Sequence, residues 1–153
     1  MPAIAILTGA SSGIGAAAAQ QFMDRGDTVI NISRRDCPVD GVETIGTDLG
    51  DAESLSSTCA VLAQRLGTHP DVPVCLVHNA SLMLKDRCDV TSDEDLERVL
   101  AVNVVGINAI NRTLLPQMPR GSSVLYVGST LSEKAVAGAF SYVVSKHAQL
   151  GMM

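Results

Sequence analysis

The chain has 153 residues with a formal net charge of −5, and 46% of its residues are hydrophobic while only 3% are aromatic. This length fits one domain with a sizeable core, which must be aliphatic because Trp is absent. The hydrophobic content excludes a disordered chain. An acidic chain whose only adjacent basic pair is Arg34 and Arg35 is a poor nucleic-acid binder, so we expect no nucleic-acid partner.

The four cysteines form no CxxC motif, and none has a histidine at metal-ligand spacing, so we expect no metal site. Free thiols suit a reducing compartment. The first residues run directly into a strand pattern without the features of a secretory leader, and no apolar run reaches the ~18 residues of a membrane span. We therefore expect a cytoplasmic location and no membrane partner.

Apolar runs that predict strands alternate with segments of helical periodicity along the chain. The predicted strands cover residues 3–7, 28–32, 42–45, 72–77 and 124–127. Helices are predicted over 13–25, over 52–66 between an Asp51 cap and Gly67, from a capping box at Thr91 and Glu94 to Pro116, and from 140 onward.

This alternation of strands and helices requires crossover connections and therefore a parallel sheet. The nearly continuous apolar strands agree, because a parallel sheet is covered on both faces. No repeat, low-complexity segment or linker interrupts the pattern. The sequence predicts one α/β domain over residues 1–153, with a doubly wound parallel sheet in a three-layer αβα arrangement.

A glycine-rich turn, TGASSGIG at residues 8–15, follows the first predicted strand and opens the first predicted helix. Its three glycines permit a tight turn and a close approach of a ligand to the backbone. A pyrophosphate suits such a helix N-terminus, where unpaired N–H groups and the helix dipole favour anions. The motif alone is a weak signal of phosphate binding, but its position between strand and helix strengthens it.

The second predicted strand ends at Ser33 and Arg34 and carries no acidic residue there. An acidic residue at this place binds the ribose 2′-hydroxyl of NAD, whereas a guanidinium suits the 2′-phosphate of NADP. Arg34 therefore favours NADP, against the alternative of a solvated surface arginine. Asp36 leaves NAD open, because a shifted loop would bring its carboxylate to the ribose.

Tyr142 and Lys146 lie four residues apart in the last predicted helix and so share one of its faces. A free phenol is a poor base at neutral pH, but a nearby ammonium favours the phenolate by charge. Such a tyrosine protonates an alkoxide that forms from a carbonyl, or deprotonates an alcohol in reverse. Ser129, after the fifth predicted strand, is placed to hydrogen-bond the reacting oxygen. The spacing alone is more often that of an ordinary amphipathic helix.

With these motifs in this order, the chain resembles the short-chain dehydrogenase/reductase family. Residues 8–15 match the family's cofactor turn, and YVVSK, from Tyr142 to Lys146, matches its YxxSK motif. The segment HNAS at 78–81 is similar to the family's Asn-Asn-Ala-Gly segment. The other residues that match its motifs are Asp48 with Leu49, its adenine-contacting Asp; Asn103, its catalytic helix Asn; and Ser129, its serine.

The resemblance implies an enzyme with a Rossmann-type, NAD(P)-binding domain, in which Tyr142 is the acid/base and the nicotinamide carries the hydride. Lys146 would favour ionisation of the tyrosine and hold the nicotinamide ribose, Ser129 would position the substrate oxygen, and Asn103 would hold a water in a proton relay. The implied cofactor-binding residues are Gly9, Ser11, Ser12, Gly13, Ile14, Gly15, Arg34, Asp48, Leu49, Asn79, Ala80, Tyr142 and Lys146.

Two departures from the family pattern bear on these expectations. Ser81 and His78 replace the family's Gly and its first Asn, and a serine with positive φ would be strained. The family also continues beyond its tyrosine–lysine helix with further strands and with segments that close the nicotinamide pocket. Because the chain ends at Met153, soon after Lys146, we expect the front part of a longer enzyme, without the C-terminal strands.

Together these expectations predict an NADP-dependent oxidoreductase. It would transfer a hydride between the cofactor and a small-molecule carbonyl or secondary alcohol, of ketone or 3-oxoacyl type. The alternative is a non-catalytic nucleotide-binding or interaction protein on the same fold. The resemblance also implies a homodimer or homotetramer in which the helices that carry Asn103 and Tyr142 pack against their copies. Apolar residues expected at that interface are Val99, Val102, Val105, Leu114 and the segment 147–153.

Overall fold

The computed structural model describes residues 3–153, which contain one parallel sheet of five strands. The strands are β1 (Ile4–Thr8), β2 (Thr28–Ser33), β3 (Glu43–Gly46), β4 (Val74–His78) and β5 (Ser123–Tyr126). Their spatial order is β3-β2-β1-β4-β5, and every neighbouring pair is parallel. The predicted parallel sheet is therefore confirmed, with each strand within two residues of its predicted bounds.

Helices connect the strands and cover both faces of the sheet. They are α1 (Gly13–Asp24), α2 (Ala52–Thr68), α3 (Asp93–Leu100), α4 (Gly106–Leu114) and α5 (Phe140–Leu150). A π-helical turn (Ala101–Val105) joins α3 to α4, and 3₁₀ turns lie at Leu115–Gln117 and Thr130–Ser132.

The carboxyl ends of the strands lie at one edge of the sheet. Thr8, at the end of β1, pairs with Ile32 of β2 and His78 of β4, and His78 pairs with Tyr126 of β5. The chain runs from β1 to β2 on one side and returns to β4 on the other. The gap between β1 and β4 is therefore the switch point, where open α/β sheets bind ligands.

Alternate residues of the strands enter two separate cores, one on each face of the sheet. In β1, Ile6 belongs to the core beneath α2 and α4, whereas Leu7 belongs to the core beneath α1. Burying one such aliphatic side chain contributes about 1.5–3 kcal/mol. The resulting order of helix, sheet and helix layers is the predicted Rossmann-type αβα arrangement.

Three predicted features of the helices are wrong. α2 continues through Gly67 to Thr68, because Gly67 does not adopt the left-handed conformation that ends many helices. Ser92, and not Thr91, caps α3, since its hydroxyl accepts a hydrogen bond of 3.1 Å from the main-chain N–H of Asp95. The long helix predicted from Thr91 to Pro116 is interrupted by the π turn between α3 and α4. A pattern of apolar residues does not reveal such a turn.

The helical segment Asp93–Gln117 is long enough and apolar enough, by length and composition alone, to cross a membrane. In the structure Val99, Ile107, Ile110 and Leu114 are fully buried, and Ile110 and Leu114 belong to the core beneath α2 and α4, whereas Val105 and Leu115 are exposed. A core helix passes the same test of length and composition, and the buried residues of this segment pack as those of a core helix do.

A buried polar network joins β4, α4 and β5 next to the switch point. His78 Nε2 lies 2.8 Å from Asn111 Oδ1, and Asn111 Nδ2 donates to the Tyr126 hydroxyl at 2.7 Å. Burial lowers the pKa of His78, and the hydrogen bond to Asn111 offsets this effect in part. The neutral imidazole therefore donates from Nε2 to the Asn111 oxygen.

Two helical glycines test how closely the elements pack. A Cβ on Gly106 would lie 2.6 Å from the main-chain oxygen of Leu49, whereas a Cβ on Gly67 would meet nothing within 4 Å. We expect Gly106→Ala to lower the free energy of unfolding by about 1–3 kcal/mol through overpacking. Gly67→Ala should raise it by about 0.5–1 kcal/mol, because alanine loses less backbone entropy in a helix. Urea unfolding followed by circular dichroism measures both; a Gly106→Ala variant as stable as the parent would contradict this packing.

Candidate functional site

The glycine turn between β1 and α1 has a geometry that only glycine tolerates at several positions. Gly9 and Gly13 have φ values of 72° and 55°, in the left-handed region. A Cβ on Gly9 would lie 2.9 Å from the Cα of Ala80, and a Cβ on Gly15 would collide with the main-chain oxygen of Gly9. The turn therefore lies directly against the residues that follow β4.

The N-terminus of α1 is open to an anion. Ser12 caps α1 without a side-chain hydrogen bond to the first-turn N–H groups, and that turn carries no acidic residue. These N–H groups and the helix dipole favour negative charge. Such an N-terminus suits an anion such as a pyrophosphate, and binding of a dinucleotide there stays a prediction.

Asn79 and Thr8 fasten the turn to the end of β4. The Thr8 hydroxyl oxygen accepts hydrogen bonds of 3.0 Å from the N–H groups of Asn79 and Ala80. In return, the Asn79 side-chain amide donates to the main-chain oxygens of Thr8 and Gly9 at 3.2 and 2.9 Å. Asn79, predicted to contact the cofactor, thus also shapes the backbone that would hold it.

Asn31 supports the turn from β2, and the sequence analysis missed it. It is fully buried, and its Oδ1 accepts a hydrogen bond of 2.8 Å from the N–H of Ala10. Its Nδ2 donates to the side chain of Thr44 at 3.1 Å and to the main-chain oxygen of Arg35 at 3.3 Å. One polar residue inside an otherwise apolar strand is the sequence signal that could have found it.

A cleft of about 360 Å³ opens at the switch point. Such a volume lies in the range of small-molecule sites. Its lining residues are Gly9, Ser11, Ser12, Ile14, Ile32, Ser33, Arg34, Arg35, Thr47, Asp48, Leu49, Asn79, Ala80, Ser81, Leu82 and Val102. Nine of the predicted cofactor residues are therefore brought together here: Gly9, Ser11, Ser12, Ile14, Arg34, Asp48, Leu49, Asn79 and Ala80.

Arg34 lies at the mouth of this cleft with a side chain that is 76% exposed. One of its guanidinium nitrogens is 4.0 Å from Asp48 Oδ2, while Asp48 Oδ1 accepts a hydrogen bond of 2.9 Å from the N–H of Gly50. Asp36 is exposed and does not line the cleft. At the end of β2, the side chain that lines the cleft is therefore the guanidinium of Arg34 and not the carboxylate of Asp36.

Ser81, which stands where the family pattern has glycine, lines the same cleft without backbone strain. No non-glycine residue among 3–153 has a positive φ, and Ser81 is included in that range. A side chain at this position is therefore compatible with the turn.

Asn103 lies in the π turn, fully buried, and binds protein groups on two sides. Its Oδ1 accepts from the N–H of Leu82 at 2.7 Å, and its Nδ2 donates to the Leu82 oxygen at 2.8 Å and to the Ser145 hydroxyl at 2.9 Å. Because Leu82 lines the cleft and Ser145 belongs to α5, Asn103 joins this cleft to the helix of the predicted acid/base. Its implied water-holding role stays a prediction.

Lys146 projects from α5 into a buried position, with 2% of the residue exposed. Its Nζ donates to the main-chain oxygen of Val127 at 3.0 Å and to Gln149 Oε1 at 2.9 Å. The ammonium lies 5.5 Å from the centroid of the Tyr142 ring, which is half-buried. Burial lowers the pKa of Lys146, because desolvation disfavours the charged form.

Ser129 follows β5 and begins the 3₁₀ turn that packs against α5. Its Oγ accepts a hydrogen bond of 3.1 Å from the N–H of Leu131. The hydroxyl hydrogen remains available for another acceptor. Gly13, Gly15, Asn103, Ser129, Tyr142 and Lys146 do not line the 360 Å³ cleft.

Gln149 is a contact of the lysine that the sequence analysis missed. It is buried and lies three residues after Lys146, a spacing that places two helical side chains on one face. That spacing is the signal from which the contact could have been predicted.

Comparisons with known proteins agree with this geometry. The family model for short chain dehydrogenases matches residues 3–153. The 2-(R)-hydroxypropyl-CoM dehydrogenase of Xanthobacter autotrophicus is 33% identical over 167 residues, covering 98% of this chain and 65% of that protein. The ligand-free aldohexose dehydrogenase of Thermoplasma acidophilum has a TM-score of 0.87 at 27% identity, covering 99% of this chain and 58% of that one.

A short chain dehydrogenase/reductase family oxidoreductase from Brucella ovis, solved in complex with a partially ordered NAD, also has a TM-score of 0.87 at 27% identity. The match covers 99% of this chain and 74% of that one. The chain spans only 59–62% of the length of several curated relatives that it matches. With the family model matched over residues 3–153 and the same fold in these solved structures, the chain belongs to the short-chain dehydrogenase family of oxidoreductases.

Proposed function

We propose that the protein is an NADP-dependent oxidoreductase that interconverts a carbonyl and a secondary alcohol, with Tyr142 as the acid/base. The observation that carries the proposal is a buried ammonium beside a phenol: Lys146 Nζ lies 5.5 Å from the centroid of the Tyr142 ring. The glycine turn, with its open helix N-terminus, supports a dinucleotide as the partner of this pair.

The chemistry of the pair follows from its charges. In carbonyl reduction, Tyr142 donates its hydroxyl proton to the substrate oxygen while the carbonyl carbon receives a hydride. A nicotinamide, when bound, would supply that hydride. Tyr142 is then a phenolate, which the Lys146 ammonium stabilises by charge. In alcohol oxidation the phenolate instead accepts the hydroxyl proton as the hydride leaves carbon.

Ser129 would assist at the substrate oxygen. Its Oγ accepts a hydrogen bond from the N–H of Leu131, and the hydroxyl hydrogen is left for donation to the substrate. A donor aimed at an oxygen that gains negative charge stabilises the transition state more than the neutral carbonyl. Asn103 would act at a distance, since its side chain holds Leu82 and Ser145 in place.

The substrate class rests on this chemistry. A relative is named for 2-(R)-hydroxypropyl-CoM and a structural neighbour for aldohexose. Both names describe hydroxyl-bearing compounds, which supports an alcohol or carbonyl substrate.

A non-catalytic nucleotide-binding protein on the same fold is the alternative. It would use the glycine turn and the cleft without needing Lys146 to be charged and buried. Burying an ammonium against neutral partners is costly, so its presence next to Tyr142 favours catalysis. Binding of NADPH without turnover of any carbonyl or alcohol would favour the alternative.

The first test removes the acid/base. We expect Tyr142→Phe to lower kcat by roughly 10²–10⁴-fold, the usual contribution of a positioned acid or base, while the Kd for NADPH changes little. Steady-state kinetics and a fluorescence titration measure the two quantities. The exposed His147 of the same helix, changed to Ala, is the control and should keep kcat near that of the parent. Near-parent turnover by Tyr142→Phe would remove Tyr142 from the mechanism.

The second test concerns the choice of cofactor. We expect NADPH to bind more tightly than NADH, because charge-assisted hydrogen bonds to a phosphate contribute roughly 1.5–3 kcal/mol. Arg34→Ala should narrow the ratio of the two Kd values, and high salt should do the same because Arg34 is exposed. The exposed Arg120, changed to Ala, serves as the control. Equal or tighter binding of NADH to the parent protein would refute the preference.

The third test concerns self-association through the π turn that precedes α4 and through α5. Val99 and Leu114 are fully buried, so the expectation that they supply interface surface is wrong. Val105, Val144 and Leu150 remain exposed and support a homodimer, or a tetramer built from dimers.

We therefore expect sedimentation at micromolar concentration to show a species larger than the monomer. Val105→Asp should weaken it, because the new charge would be buried in the interface. Val90, which is also exposed but lies in a loop outside these helices, provides the control substitution Val90→Asp. A parent protein that sediments only as a monomer would contradict the assembly.

A further inference from the structure

The Lys146 ammonium is held by neutral groups. It donates to the oxygens of Val127 and Gln149, and no Asp or Glu in residues 3–153 forms an ion pair with it. Tyr142 is the titratable group whose ring faces it. The position of the ammonium therefore depends on two neutral acceptors, one from the main chain and one from a side chain.

Gln149 uses both ends of its amide, and only 4% of the residue is exposed. Its Oε1 accepts from Lys146 at 2.9 Å, while its Nε2 donates to the main-chain oxygen of Asn103 at 2.8 Å. An ammonium can only donate and a carbonyl can only accept, so these two neighbours fix the orientation of the amide. The side chain thus connects Lys146 to the π turn.

A purely structural role does not account well for this amide. α5 is already joined to the π turn by the hydrogen bond between Asn103 and Ser145. An apolar side chain would avoid the desolvation cost of an amide, but it would leave the Asn103 oxygen and the Lys146 ammonium each without one partner. The feature that distinguishes glutamine here is that one side chain presents an acceptor to the ammonium and a donor to the π turn.

We propose that Gln149 is a positioning residue whose amide holds the Lys146 ammonium next to Tyr142 and couples it to the π turn at Asn103. Its importance for turnover rests on the proposed function. The hydrogen-bonded bridge from Lys146 through Gln149 to Asn103 does not depend on that function. The bridge and the proposed function can therefore be refuted by different results.

Two substitutions separate the ends of the bridge, because one removes both ends and the other removes only the donor. Gln149→Leu removes the acceptor for Lys146 and the donor for Asn103 with little change of volume, and should lower the pKa of the lysine further. Gln149→Glu keeps an acceptor for Lys146 and adds a charge, which should raise that pKa, but it cannot donate to the Asn103 oxygen. The two variants therefore shift the titration of one group in opposite directions.

NMR titration of isotope-labelled lysine side chains measures this effect without any turnover. The Lys146 signal is assigned by elimination with Lys85→Arg and Lys134→Arg. We expect its midpoint to move down by about one pH unit in Gln149→Leu and up by a similar amount in Gln149→Glu. The exposed Gln64 of α2, changed to Leu, should leave the midpoint unchanged. Thermal denaturation checks that each variant is folded. If Gln149→Leu does not fold, the shift of the Lys146 midpoint in Gln149→Glu decides the test.

Kinetics supply the second readout. Both Gln149 variants should lower kcat roughly tenfold or more, because small displacements of a catalytic group are costly, while KM changes less. Unchanged Lys146 midpoints, or shifts in the same direction in both variants, would overturn the bridge. Shifted midpoints with unchanged kcat would overturn the positioning role. If Tyr142→Phe also retained parent turnover, the proposed function would fail while opposite shifts still supported the bridge.

Discussion

The close approach of the glycine turn to the end of β4 is the constraint on which the site depends. Gly9 lies so near Ala80 that a side chain at residue 9 would not fit, and Thr8 and Asn79 exchange hydrogen bonds across the same gap. This contact closes the switch point at its base. It holds the glycine turn, from which α1 begins, against the end of β4. The cleft lies beside this contact, at the carboxyl ends of β1 and β4.

A second set of contacts connects that cleft to α5. Leu82 lines the cleft and binds the side chain of Asn103, whose amide in turn reaches Ser145. The main-chain oxygen of Asn103 accepts from Gln149, which holds Lys146. The π turn lies at the centre of this set, in keeping with the frequent occurrence of such turns at functional sites. The cleft at the switch point and α5, which carries Tyr142, are therefore parts of one hydrogen-bonded unit.

Much of the fold could be predicted from local sequence patterns. Apolar runs located the strands to within two residues, because a strand buried on both faces has to be apolar almost throughout. The glycine turn was recognisable because left-handed backbone and close packing exclude most other residues. The errors were local: Ser92 competes with Thr91 as a cap, and Gly67 remains helical because nothing requires a left-handed conformation there.

The sequence by itself determined the parallel sheet, the order of its elements and the residue types at its carboxyl edge, since these follow from periodicity and from the backbone limits of glycine. Only the tertiary structure decided which partners those residues have. It brought the amide of Gln149 between Lys146 and Asn103, placed Asn31 beneath the turn, and buried Val99 and Leu114 that the sequence had suggested for an interface. Such contacts join residues distant in the chain, and hydrogen-bond partners and burial are set by the packing of whole elements, which local patterns do not encode.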